Sequence, residues 1–133
     1  MRVLLDTHIW VKWLTPNAAL SARELDGLDK AAAKRELHVA AISLWEVQVL
    51  HAKRRVELPL PFAEWLLRAT DARAVTILPL DIDVVTALDA LPAKFHGDPA
   101  DRLIVATARA HAMLLATHDR LIRRARVAKI WAP

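Results

Sequence analysis

Cysteine is absent from the 133 residues. That excludes a disulfide framework and any thiolate site, nucleophilic or metal-binding, and it suits a reducing, cytoplasmic setting. Glycine is scarce, with two residues, while apolar residues make up 55% of the chain. Such a composition argues against disorder and for a helix-rich globular fold. Long apolar runs are missing too. None is long enough to span a bilayer, and Asp6 interrupts the first apolar run within a few residues, unlike a secretory leader. The length fits a single domain, 1–133, with a sizeable core. An acidic excess is also lacking. The formal charge is +4, which is compatible with a polyanionic partner although many ordinary proteins share it.

What is present is organised around His96-Gly97-Asp98-Pro99-Ala100-Asp101-Arg102-Leu103-Ile104, which reads as a helix with a charged beginning. Asp98 is a good N-cap, and Pro99 fits the first helical position, where a missing N–H costs nothing. Leu103, Ile104, Thr107 and Ala108 then supply a buried stripe. Asp101 falls in the first turn, where an acid either answers the helix dipole and the cap N–H or serves chemistry.

Strands alternate with helices around this stretch. Val3 to Leu5 form a short buried strand ending at Asp6-Thr7, and residues 8–14 a helix closed by Pro16-Asn17. Ser21 with Glu24 is a capping box that opens a helix to about Arg35. A second strand covers Leu37 to Ile42. Ser43 with Glu46 reads as another capping box, for a helix running to about Lys53. A helix from Pro61 or Phe62 carries Trp65 and Leu66 and ends near Asp71. Val75 to Leu78 is β-branched enough for a third strand, and Asp81 caps a helix with Val84, Val85 and Leu88. Met113 to Ala116 is a fourth strand ending in Thr117-His118-Asp119. A short basic helix with Arg120, Arg123, Arg124 and Arg126 follows, and Val127 to Trp131 is a candidate final strand. The alternation implies a three-layer α/β/α fold on a parallel sheet of four to five strands.

In such sheets ligands bind beyond the carboxyl ends of the strands. Asp6 follows the first strand, Glu46 lies on the first turn of the helix after the second, Asp101 opens the central helix and Asp119 follows the fourth strand. Several of these transitions share one edge of a parallel sheet, so acids distant in sequence can converge. Clustered carboxylates repel one another, and a hard divalent cation relieves the repulsion. Oxygen-only ligands suit Mg²⁺ or Mn²⁺ rather than tetrahedral zinc, and Mg²⁺ commonly shares its shell with phosphate oxygens, which points to a phosphate ester as substrate. Each acid also has a purely structural explanation. Asp6 can end a strand, Glu46 can partner Ser43, and Asp119 and Asp98 can be caps. Their joint placement says more than any single member.

Leu4-Leu5-Asp6-Thr7-His8, the Ser43-x-x-Glu46 helix start, the 96–102 stretch and Thr117-His118-Asp119 resemble the PIN-domain nucleases, and within them the toxin subunit of VapBC-type toxin–antitoxin pairs, over nearly the whole chain. The resemblance implies a parallel sheet of four or five strands flanked by helices, and Mg²⁺- or Mn²⁺-dependent endoribonuclease activity. It implies Asp6, Glu46 and Asp101 as a catalytic, metal-binding triad and Asp119 as a fourth, more variable acid, with Thr7 and Thr117 as accompanying hydroxyl residues. It implies an RNA substrate, a cognate antitoxin and a homodimer. The chemistry would be in-line attack of a metal-activated water on a phosphodiester, with Asp6 and Asp101 as direct ligands and Glu46 holding metal through water or orienting the nucleophile.

Arg102, Arg120, Arg123 and Arg124 are the candidates for phosphate-backbone contact, with a solvated basic helix, and for Arg102 an acid partner, as alternatives. The six histidines are scattered. His8 and His96, although near the acids, read as packing or surface residues. Trp10, Trp13, Trp45 and Trp65 are able to stack on bases, but the i, i+3 spacing of Trp10 and Trp13 marks a core or interface face. Two other functions stay open. One is an RNA-binding module without catalysis. The other is a small-molecule phosphatase, which would want a second Asp two residues after Asp6, where His8 stands.

Overall fold

Val3–Leu5 is apolar throughout and buried throughout, as an inner strand of a parallel sheet must be. In the computed structural model, which describes residues 1–95 and 97–133, it forms β1 (Val3–Leu5). The reading of His96 falls outside the described residues. The other strands are β2 (Leu37–Ala40), β3 (Thr76–Leu78) and β4 (Leu114–Ala116), all parallel, in the order β3-β2-β1-β4. Leu5 at the end of β1 lies opposite Val39 and Ala116, so the carboxyl ends of β2, β1 and β4 lie within one residue of each other. The chain leaves β1 toward β2 and returns on its other side as β4, which makes the β1–β4 boundary a topological switch point.

The helices are α1 (Thr7–Trp13), α2 (Ala22–Ala33), α3 (Ala41–Ala52), α4 (Phe62–Ala69), α5 (Ile82–Asp89), α6 (Pro99–Ala110) and α7 (Arg120–Ala125). Alternation of side chains along the strands feeds two cores. Val3, Leu5, Leu37 and Val39 meet Ile9 and Trp10 of α1, Leu28 of α2 and Trp65 of α4 on one face. Leu4, Ala40 and Leu115 meet Val84 of α5, Ile104 and Val105 of α6 and Ile122 of α7 on the other. The expected three layers result. No helix among the described residues is long and apolar enough to cross a membrane.

Local chemistry explains the helix starts. Ser21 and Glu24 make both bonds of the expected capping box, the Ser21 hydroxyl accepting from the Glu24 N–H at 3.0 Å and the Glu24 carboxylate from the Ser21 N–H at 2.9 Å. Asp81 caps α5, and Asp98 caps α6 with Pro99 in the first turn. The box expected at Ser43 and Glu46 is not formed. β2 ends at Ala40 rather than Ile42, and α3 starts at once from Ala41 without a side-chain cap. Ser43 is therefore already inside the helix, and its hydroxyl accepts a hydrogen bond from Thr7 at 2.7 Å instead. The final strand expected at Val127 to Trp131 reduces to one parallel bridge, Leu115 to Ile130, because β4 is three residues long and offers little more than that rung on its outer side.

Trp10 is wholly buried, tilted against Trp65 with ring centroids 5.2 Å apart, and donates its indole N–H to the Ala69 carbonyl at 3.2 Å. Both are core residues, which removes them from the set able to stack on bases. Trp10→Ala is expected to lower the urea midpoint by an amount equivalent to about 3–5 kcal/mol of stability, the usual loss for a deleted core aromatic. Equilibrium unfolding against wild type measures it.

Candidate active site

Asp6 occupies the N-cap position of α1, yet its side chain makes no cap bond. The carboxylate is 3% exposed. Its Oδ2 accepts the Thr117 hydroxyl at 2.6 Å, across the β1–β4 boundary, and its Oδ1 is buried with no partner. The Thr117 oxygen in turn accepts the Asp119 N–H at 3.0 Å. One hydroxyl thus ties the ends of β1 and β4 together and leaves one carboxylate oxygen of Asp6 free of hydrogen bonds. An unpaired buried oxygen of this kind is costly unless something positive or protic reaches it.

Glu46 lies in the second turn of α3 rather than the first, because α3 begins at Ala41. The buried Thr7–Ser43 hydrogen bond sets α3 against α1, and Glu46 then faces the same edge as Asp6. Its Oε1 is also buried without a partner. Burial pushes the Glu46 carboxyl above its ordinary range, with the Asp6 and Asp98 charges adding and the Thr7 hydroxyl and His8 opposing.

Asp98 and Asp101 come together at the start of α6. Asp98 accepts the Asp101 N–H at 2.8 Å, so it is the cap that the sequence suggests. It is also part of a cluster: Glu46, Asp98 and Asp101 each offer an oxygen, all within 4.8 Å of one another. Asp6 and Asp119 stand outside that tight group but close enough to act on it. The Asp101 carboxyl is pushed from the ordinary 3.8 up to about 7, first by burial and then by the charges of Asp98, Asp6, Asp119 and Glu46. Gly97 is needed beside it, since a Cβ there would meet the Phe95 ring at 2.7 Å and the Asp101 Cβ at 3.2 Å. The sequence offers Asp98 first as a cap, with a metal role left open, and the structure gives it both the cap bond and a place beside Glu46 and Asp101.

Asp119 caps α7, accepting the Ile122 N–H at 3.0 Å, and still contributes charge at Asp101. Arg120, Arg123 and Arg124 are exposed on α7, and the Arg123 Nε donates to the Thr117 carbonyl at 2.9 Å. Arg102 pairs with no acid among the described residues; its guanidinium donates to the Phe95 carbonyl at 2.8 Å and ties the loop before α6 to the helix. His118 faces Glu24 at 2.5 Å rather than the cluster, and His8 is exposed. Chemically, the arrangement is a set of hard oxygen donors at a switch point, flanked by cations on one side.

A carboxyl held above its unfolded value binds a proton more readily in the folded chain. Between pH of about 4 and 7 the folded state then carries more protons, so stability falls as pH rises. In EDTA, the urea midpoint of wild type is expected to drop between pH 5 and pH 8 relative to Asp101→Asn, whose midpoint lacks this component. Parallel pH dependence in the two proteins would show that burial and the neighbouring charges do not raise the Asp101 carboxyl.

Known proteins share this architecture. Ribonuclease VapC22 of Mycobacterium tuberculosis is 41% identical over 122 residues, which cover 91% of this chain and 89% of the relative. The structure of VapBC2 from Rickettsia felis, bound to a promoter DNA fragment, superposes with a TM-score of 0.75 over 98% of both chains at 16% identity, a likeness of fold. FitAcB from Neisseria gonorrhoeae superposes with a TM-score of 0.70 at 25% identity, over 98% of this chain and 96% of its own. The PIN domain family matches residues 3–128, a span that takes in all four strands and every acid of the cluster, and the chain belongs to that family.

Proposed function

We propose that the chain is a Mg²⁺- or Mn²⁺-dependent endoribonuclease, the toxin of a toxin–antitoxin pair acting in the cytoplasm, with Asp6, Glu46, Asp101 and Asp119 as its catalytic acids. The observation that carries the reading is the pair of buried, unpartnered oxygens, Asp6 Oδ1 and Glu46 Oε1, at the edge where the Asp101 carboxyl is forced up to about 7. The donor set is all oxygen, which fits a hard divalent cation. Asp6, Glu46, Asp101 and Asp119 would hold it, with Asp98 within reach. Bound there, the cation supplies a water of lowered pKa and neutralises charge developing at the phosphorus.

The chain's own residues do the rest. Thr117 holds Asp6 in one orientation through its hydroxyl. Thr7 and Ser43 fix the start of α3 and hence Glu46. Arg120, Arg123 and Arg124 stand on the rim of the same edge, where they attract and align a phosphate backbone; Arg102 supports that rim by holding the loop before α6. RNA as substrate is supported by the ribonuclease name of the relative at 41% identity. The antitoxin partner rests on the toxin–antitoxin resemblance of the motifs. A homodimer has an apolar surface available in Leu80, Ile82 and Val85, all exposed at the start of α5.

Purified wild type is expected to cut a mixed RNA pool with Mn²⁺ and not with EDTA, while Asp101→Asn cuts at least about 100-fold more slowly. Equal cutting by both would place the activity elsewhere. RNA binding should persist in Asp6→Asn with Asp101→Asn, whereas a pure binding module would keep its whole function in that double variant. Millimolar Mn²⁺ should raise the melting temperature of wild type and leave the double variant nearly unchanged; a flat response in wild type would mean that the acids are dispersed caps.

A further inference from the structure

Thr117 serves two places at once. Its hydroxyl bonds Asp6, and the residue also lines a cavity of about 390 Å³ on the far side of the β4 edge. The volume lies within the range of about 300–1,000 Å³ typical of small-molecule sites. Leu20 and Leu28 form apolar lining on the α2 flank, Trp131, packed against α2 at Gly27, forms an aromatic part of the lining, and Glu24 and Arg123 supply polar groups.

Three features show a wall built for a flat group with a polar edge. Trp131 is positioned by its backbone, whose N–H donates to the Leu115 carbonyl at 2.9 Å next to the single Leu115–Ile130 bridge. Gly27 admits it. Glycine is unfavourable in a helix interior, yet a Cβ at this point in α2 would lie 2.9 Å from the Trp131 ring and 3.0 Å from Pro133. Arg123 is held by its Nε on the Thr117 carbonyl at 2.9 Å, and among the described residues its two terminal nitrogens make no hydrogen bond. Glu24 is fixed as well, one oxygen on the Ser21 N–H at 2.9 Å and the other beside the His118 ring at 2.5 Å. An aromatic wall, fixed donors and a fixed carboxylate acceptor are what a nucleobase needs: a face to stack on and an edge to read.

We propose that this cavity receives the nucleobase adjoining the scissile phosphodiester, packed against Trp131 and read at its edge by Arg123 and Glu24, which deepens the nuclease reading above and rests on it. RNA is favoured over an apolar protein side chain by the surroundings. Arg123 of the lining belongs to α7, which also carries Arg120 and Arg124 and has no Asp or Glu, a surface suited to a phosphate backbone. The cavity would therefore set which base the enzyme accepts beside the cut, with Thr117 linking base recognition to Asp6.

Leu20→Trp tests this by filling the cavity from a partly exposed position on the loop before α2. Two quantities are read in wild type and variant: uptake of each of the four nucleoside 5′-monophosphates in EDTA by calorimetry, and base bias beside the cut in a sequenced RNA pool with Mn²⁺. The expected result is saturable uptake of at least one nucleotide by wild type, weakened about tenfold or more in the variant, together with cleavage that continues but loses its bias by a similar factor. If Leu20→Trp melts well below wild type, Trp131→Phe replaces it and should weaken both quantities in the same direction. Identical uptake and bias in the two proteins would overturn the proposal. So would cleavage by wild type with neither nucleotide uptake nor bias. Uptake that the variant loses, without any cleavage by wild type, would uphold the cavity and sink the nuclease reading instead. A variant that keeps wild-type bias but escapes inhibition by a partner protein would assign the cavity to that protein and overturn the proposal.

Discussion

Repulsion among Asp6, Glu46, Asp98, Asp101 and Asp119 is the interaction that the rest of the chain must outweigh. The Asp101 carboxyl is raised to about 7, first by burial and then by these neighbouring charges. The carboxylates are held together because the elements that carry them are anchored by buried residues. β1 is wholly buried, and Ile104 and Val105 of α6 and Val47 of α3 are inaccessible to solvent. Apolar burial at about 25 cal/mol per Å² is thus what holds like charges together. Parallel β-α connections also help. They bring the amino ends of α1, α3, α6 and α7 to the edge where the acids lie, and each helix dipole offsets part of the negative charge there, about 0.3–1 kcal/mol per favourable placement.

Hydroxyl groups do the fine placement. Thr117 spans from β4 to Asp6, and Thr7 spans from α1 to Ser43. Both are buried threonines, and the Thr117 oxygen also accepts the Asp119 N–H. Because the Asp6 side chain is engaged from the β4 side, it does not fold back to cap α1. Asp98 and Asp119 do cap their helices, while Asp98 offers an oxygen within 4.8 Å of Glu46 and Asp101 and the Asp119 charge still acts on Asp101. A capping role and a role at the site are therefore not alternatives at a strand-to-helix transition. The cap bond uses one lone pair and leaves the charge in place.

Charge is divided across the molecule. The acids gather at the carboxyl ends of the strands, α7 carries Arg120, Arg123 and Arg124 and no Asp or Glu, and Arg126 and Lys129 lie at the other end of β4 beside Ala112 and Met113. A crevice of carboxylates repels other anions unless a cation offsets its charge.

The order of strands and helices was legible in the sequence because each element carries its own local signal. Apolar triplets mark buried strands, and Ser21, Asp81, Asp98 and Asp119 mark helix starts. The acids were legible as a set because a parallel sheet brings its strand ends to one edge. Three things were not legible. Ser43 looked like a cap because the sequence does not show that α3 starts without a connecting loop, nor that Thr7 would claim the hydroxyl. The last strand reduced to one rung, since pairing length depends on the neighbour and not on the segment itself. Asp98 joined Glu46 and Asp101 only through the packing of α6 against α3. The sequence by itself determined the alternation of elements, the two-sided burial of the sheet and the identity of the acids, all consequences of short-range periodicity and capping. Tertiary structure alone decided which oxygens lie within reach of one another and which stay unpartnered, because those depend on contacts between residues as much as 111 positions apart.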